Sequence, residues 1–113
     1  MSKTDIFLKV RVQVLSDHIE EFKKLITRVS EQPPIENGPA SVAYYYDDQT
    51  QQAVFLESHV SSAALLANIG ADDGGDRALL GSMYELIDID IYGTVNDQVR
   101  SALGAAATYY RPF

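Results

Sequence analysis

Glu57-Ser58-His59 sets a carboxylate two residues ahead of an imidazole. In an extended strand that spacing puts both side chains on one face, where the carboxylate can orient the ring. An imidazole so held is a candidate general acid or base; the plainer alternative is a histidine at a strand end or interface. Further along, Asn68 can donate a hydrogen bond to a substrate carbonyl or enolate, or equally stand as a helix-terminal residue. Tyr44, Tyr46, Tyr84 and Tyr109 each offer a flat apolar ring with a polar tip, suited to lining a pocket for an aromatic ligand and also to filling a core. The chain has no cysteine, which closes disulfide, thiolate-nucleophile and thiolate-metal chemistry. It has two histidines, too few for a multi-histidine metal site within one chain, and His18 reads as exposed in a first helical turn. Asp72, Asp73 and Asp76 lie in a Gly-rich run without the calcium-loop spacing, so no metal site is expected there.

Composition narrows the partners. At 113 residues, with 46% hydrophobic and 22% charged residues, the chain is expected to form one globular domain over residues 1–113. A net charge of -7 argues against nucleic acid and against an anionic membrane surface, since both draw on clustered Lys and Arg. No apolar run approaches the ~20 residues that span a bilayer, and the first residues lack a signal-peptide pattern. A cytoplasmic location is the expectation.

The candidate site needs elements to hold it. Ile6 to Leu15 alternates with a period of two, the mark of a strand. Asp17 and Glu20 have capping-box spacing for a helix carrying Ile19, Phe22, Leu25, Ile26 and Val29, which should stop near Glu31, ahead of Pro33-Pro34. Residues 42–46 and 52–60 read as a hairpin closed by Asp47-Asp48-Gln49-Thr50. Ser61 or Ser62 can cap a helix to Ile69; residues 70–76 read as a loop that can act as a lid; residues 77–84 read as another helix. Ile87, Ile89 and Ile91 alternate with Asp88, Asp90 and Tyr92 in a last strand, followed by a short helix over 96–103 and an aromatic tail over 105–113.

This order is α+β, the ferredoxin-like βαββαβ two-layer sandwich, with the first strand between the third and fourth and helices on one sheet face. Patterning predicts that Ile6, Leu8, Val10, Val12, Val14, Val54, Leu56, Ile87, Ile89 and Ile91 face the helices. Lys9, Arg11, Glu57, His59, Asp88 and Asp90 would share the open face, with Lys9 or Arg11 beside Asp88 or Asp90 as cross-strand ion pairs. A sheet covered on one side only is expected to pair with a second copy through the other. An apolar pocket between sheet and helices, edged by tyrosines and by polar groups near the third strand and the helix that follows it, is expected in each protomer.

Phe55-Leu56-Glu57-Ser58-His59-Val60-Ser61-Ser62-Ala63-Ala64-Leu65-Leu66-Ala67-Asn68-Ile69 resembles the signature of the antibiotic-biosynthesis-monooxygenase family. There a strand ends in Glu, any residue, then Trp or Tyr, and the helix after a short turn often carries His. Glu57 matches the glutamate, His59 stands at the aromatic position and Asn68 at the helix histidine. Tyr92-Gly93 and the tail Tyr109-Tyr110-Arg111-Pro112-Phe113 are also similar to a subgroup with that strand end and an aromatic tail. The resemblance implies a homodimeric α+β barrel and a cofactor-independent monooxygenase-like protein acting on a small aromatic or quinone-like metabolite. Its catalytic residues would be His59, Asn68 and Glu57. The alternative is a non-catalytic dimeric barrel binding a hydrophobic small molecule, favoured by the absence of tryptophan.

Overall fold

The computed structural model describes residues 5–32, 38–70 and 75–113. Residues 33–37, with Pro33-Pro34, and residues 71–74 of the Gly-rich run, with Asp72, Asp73 and the lid reading, lie outside the described residues. Strand β1 spans Ile6–Val14, and a 3-10 turn over Ser16–His18 leads into helix α1, Ile19–Ser30. No side chain caps α1, so the Asp17/Glu20 capping box is not formed; the 3-10 turn occupies the chain where that box would sit. Strands β2 (Ser41–Asp47) and β3 (Gln52–His59) form the hairpin. Its turn is held by the Asp47 side chain accepting from the Gln49 amide at 2.9 Å, and it passes through Gln51 at φ 58°. The Ser61 hydroxyl accepts from the Ala64 amide at 3.1 Å, capping α2 (Ser62–Gly70).

Helix α3 is short, Asp76–Gly81, and Tyr84 opens β4 (Tyr84–Tyr92) rather than closing the helix. Gly93 follows at φ +128°, where a Cβ would stand 3.0 Å from the Asp5 carbonyl oxygen, so glycine is required there. Helix α4, Asp97–Leu103, starts at Asn96, whose side chain accepts from the Val99 amide at 3.0 Å. The expected tail then contains a fifth strand, β5 (Ala107–Tyr110), parallel to β4. Alternating small and aromatic residues suit a strand, and α4 supplies the crossover that a parallel pairing needs.

The sheet order is β2-β3-β1-β4-β5, with β1 between β3 and β4 as the patterning predicts. Lys9 lies opposite Asp90 and Arg11 opposite Asp88, and the Arg11 Nε donates to Asp88 Oδ1 at 3.3 Å. Strand β3 turns its other face to the helices from the one that patterning predicts. Phe55 pairs with Val10, Glu57 with Leu8 and His59 with Ile6, so Glu57 and His59 lie on the helix-covered face. Val54 and Leu56 instead join Arg11 and Lys9 on the open face. Strand β3 is apolar in both phases, Ala53/Phe55 and Val54/Leu56, and pairing with β1 decides which phase turns inward. Ile87 is also out of the core, 39% exposed, because the β1–β4 register shifts between Arg11 and Val12.

Two clusters fill the covered face. Under α1 and α3 lie Val12, Val14, Phe22, Leu25, Ala53, Phe55, Leu80 and Met83. Under α2 and α4 lie Ile6, Leu8, Leu65, Ile89, Ile91, Val95 and Val99. Val10 packs against both.

Candidate functional site

A polar seam runs between these clusters. Phe55 belongs to the first, and Glu57 follows it on the same face, opposite Leu8 of the second. The next inward position is His59, 1% exposed, whose Nε2 lies 3.0 Å from Glu57 Oε1. With Glu57 as a carboxylate, that nitrogen carries the hydrogen and donates. In the neutral ring Nδ1 then keeps its lone pair, and this atom is buried without a hydrogen-bond partner among the described residues. A carboxylate-oriented imidazole with its second nitrogen unengaged is an arrangement suited to accepting a proton from a bound molecule.

The tyrosines of the first cluster approach the same seam. Phe55 is the hub: its ring centroid lies 5.5 Å from Tyr44 and 5.8 Å from Tyr84, both edge-to-face. Burial pushes both phenols above the usual tyrosine range, the Glu57 carboxylate adds to the rise, and the Arg77 guanidinium opposes it. Tyr44 and Tyr84 therefore keep their protons at neutral pH and can serve as hydrogen-bond donors.

Arg77 is a residue of this region that the sequence does not single out. It follows Asp76, which accepts from Arg28 Nη2 at 2.7 Å and from Gln32 Nε2 at 3.1 Å, so α1 ties down the start of α3. One Arg77 nitrogen, Nη1, is buried without a partner. A lone cation at the start of a short helix carries no motif, and only the fold brings its charge to bear on Tyr44 and Tyr84.

Asn68 lies one helical turn beyond Leu65 on α2, is 7% exposed, and leaves its Oδ1 buried without a partner. It is a core-facing residue and not an exposed helix end. Tyr46 sits further along β2, opposite Ala53, with Lys23 Nζ 4.9 Å above its ring centroid. A groove of about 250 Å3 between α1 and the β2–β3 hairpin is lined by Phe22, Lys23, Ile26, Tyr44, Tyr46 and Phe55 among others. Tyr109 is not brought to this region. It lies in the row Glu57–Leu8–Ile91–Tyr109, three strand spacings or about 14 Å from β3. Its hydroxyl donates to the Gly104 carbonyl at 3.2 Å, and Arg100 covers its ring at 4.4 Å. His18 is half-exposed beside Glu21, at 3.7 Å. Among the described residues no group of three or more His, Cys, Asp or Glu is placed to hold a metal ion, and no helix is long and apolar enough to cross a membrane.

Neither the models of known protein families nor the curated proteins contain a match to this sequence. Solved structures do match. MupZ from Pseudomonas fluorescens aligns over 97% of this chain and 91% of its own, with a TM-score of 0.70 at 16% identity. A provisionally named antibiotic biosynthesis monooxygenase from Chloroflexus aurantiacus aligns over 82% of this chain and 95% of its own, with a TM-score of 0.61 at 11% identity. The chain has the fold of the antibiotic-biosynthesis-monooxygenase structures. A conserved protein from Methanosarcina mazei shares it as well, over 81% of this chain and 94% of its own, at a TM-score of 0.64 and 22% identity. At these identities the likeness is one of fold, and function has to be argued from the site.

Proposed function

We propose that this chain is a cofactor-independent monooxygenase-like protein that acts, as a cytoplasmic homodimer, on a small aromatic or quinone-like metabolite. The observation that carries this reading is the buried His59 imidazole, held by Glu57 through Nε2 and unengaged at Nδ1. His59 Nδ1 removes a proton from an activated C–H or phenolic O–H of the substrate. Tyr44 and Tyr84 donate to the oxygen that gains charge, and Arg77 offsets that charge. Asn68 contributes a further polar contact on the α2 side. The carbanion then passes electrons to dioxygen, and a methylene becomes a carbonyl. One oxygen atom of dioxygen ends in that carbonyl, and the other leaves as water with the two hydrogens of the methylene. The fold shared with named monooxygenases supports this class of reaction.

The open sheet face supports the dimer. Leu56, Tyr92 and Tyr110 are 40–47% exposed there, beside the Arg11–Asp88 pair. Light scattering at micromolar concentration should give twice the chain mass; a strict monomer sinks the dimer. Activity is tested by following oxygen uptake over a panel of anthrones and hydroquinones. Turnover that falls about 10- to 100-fold or more in His59→Ala supports the mechanism. An unchanged rate removes His59 from it, and no uptake with any panel member favours the non-catalytic, ligand-binding barrel.

A further inference from the structure

We propose that the groove between α1 and β2 is a subsite for a planar aromatic acid, with Lys23 at its mouth holding the carboxylate. Its walls are rings and branched aliphatic chains: Phe22 and Ile26 from α1, Tyr44, Tyr46 and Phe55 from the sheet. Phe22 and Phe55 lie nearly parallel, 16° apart, whereas Tyr44 meets Phe55 at 75°. Phe22 and Phe55 thus pack on each other as a buried floor, and the partly exposed Tyr44 and Tyr46 rings supply the aromatic surface that a flat ligand can meet. At its open end the Lys23 ammonium stands over the Tyr46 ring and 3.5 Å from Asp48 Oδ1. The Asp48 side chain is 85% exposed, so water and salt weaken that pair and an incoming carboxylate can replace it. The neighbouring Thr27 hydroxyl is engaged by the Lys23 carbonyl at 2.9 Å, which leaves the ammonium as the polar group suited to an anion.

Position along β2 links this groove to the site above. Tyr44 and Tyr46 point to the same face two residues apart, roughly 7 Å. Tyr44 feels the Glu57 carboxylate, and Tyr46 lies under Lys23. One molecule lying along the strand can therefore put a ring beside Tyr44 and its acid group at Lys23. This assigns the ligand class as an aromatic carboxylic acid whose ring lies beside Tyr44 and whose acid group lies at the Tyr46 end of the groove. The reactive end of the assignment rests on the proposed function, whereas binding in the groove does not.

The test is calorimetric titration of the full chain with 2-naphthoate and with neutral 2-naphthamide. Naphthoate should bind about threefold to fivefold more tightly, the range that a partly exposed ion pair contributes. The preference should vanish in Lys23→Met, which keeps the apolar stem, and both ligands should be lost in Thr27→Phe, which fills the groove from α1. Equal affinities in the unaltered chain, a preference that survives Lys23→Met, or no binding of either probe overturns the proposal. Groove binding without oxygen uptake thus removes the activity reading alone, and oxygen uptake without Lys23-dependent binding removes the groove alone.

Discussion

The two halves of the covered sheet face differ in kind. The half under α2 and α4 is aliphatic and closed: Ile6, Leu65, Ile91 and Val99 are each fully buried. The half under α1 and α3 is built on Phe22, Phe55, Tyr44, Tyr46 and Tyr84, and Tyr44 and Tyr46 stay partly exposed along a groove. Unpartnered polar atoms of His59, Asn68 and Arg77 accompany these cores. Aliphatic side chains interdigitate to crystal-like density, whereas rings meeting at steep angles leave gaps that small aromatic molecules can enter. The aromatic half therefore opens a groove, whereas the unpartnered atoms of His59 and Asn68 lie beside the closed half, His59 opposite Ile6 and Asn68 one turn from Leu65.

The largest effect should come from damaging the closed half. Leu65→Ala should lower unfolding free energy by about 2–5 kcal/mol, whereas Tyr44→Phe, which removes only a hydroxyl, should change it by less than about 1 kcal/mol. Chemical denaturation of both variants checks this, and similar losses would erase the division between the halves. Next in size, Glu57→Gln should reduce turnover about 10- to 100-fold, equivalent to roughly 1.4–2.7 kcal/mol of barrier, while leaving the denaturation midpoint almost unmoved. A rate that holds while stability falls would make the Glu57–His59 pair architectural.

Asn68→Leu, nearly the same shape without the buried unpartnered oxygen, should raise stability by about 1 kcal/mol and weaken ligand binding. A destabilised variant would mean that the amide has a structural partner in solution. The smallest effect concerns alkali. Tyr44 and Tyr84 hold their protons more tightly folded than unfolded, chiefly because burial disfavours the phenolate. Their contribution is intact below the unfolded tyrosine value of about 10 and is lost as pH rises through the higher folded values. Stability should therefore decline above pH ~10, and the double variant Tyr44→Phe/Tyr84→Phe should show a shallower decline in pH-dependent denaturation.

Periodicity alone orders the first four strands and the helices between them, and the split βαβ topology that this order implies places β1 between β3 and β4. The alternation from Ile6 to Val14 admits one apolar face, which places Lys9 or Arg11 beside Asp88 or Asp90; the register then sets Lys9 opposite Asp90 and Arg11 opposite Asp88. The Glu57/His59 spacing already put a carboxylate and an imidazole on one face of one strand, because two residues apart means the same side. Which side that was, only the tertiary structure decided. Ala53/Phe55 and Val54/Leu56 are both apolar, so β3 could have turned either way until pairing with β1 set Phe55 opposite Val10. The same holds for β5, whose four residues become a strand through parallel pairing with β4 across α4, and for Ile87, displaced by a register shift. Arg77 is the plainest case. Its influence on Tyr44 and Tyr84 depends on α3 being tethered by Arg28 and Asp76, a contact between residues far apart in the chain that no local pattern encodes.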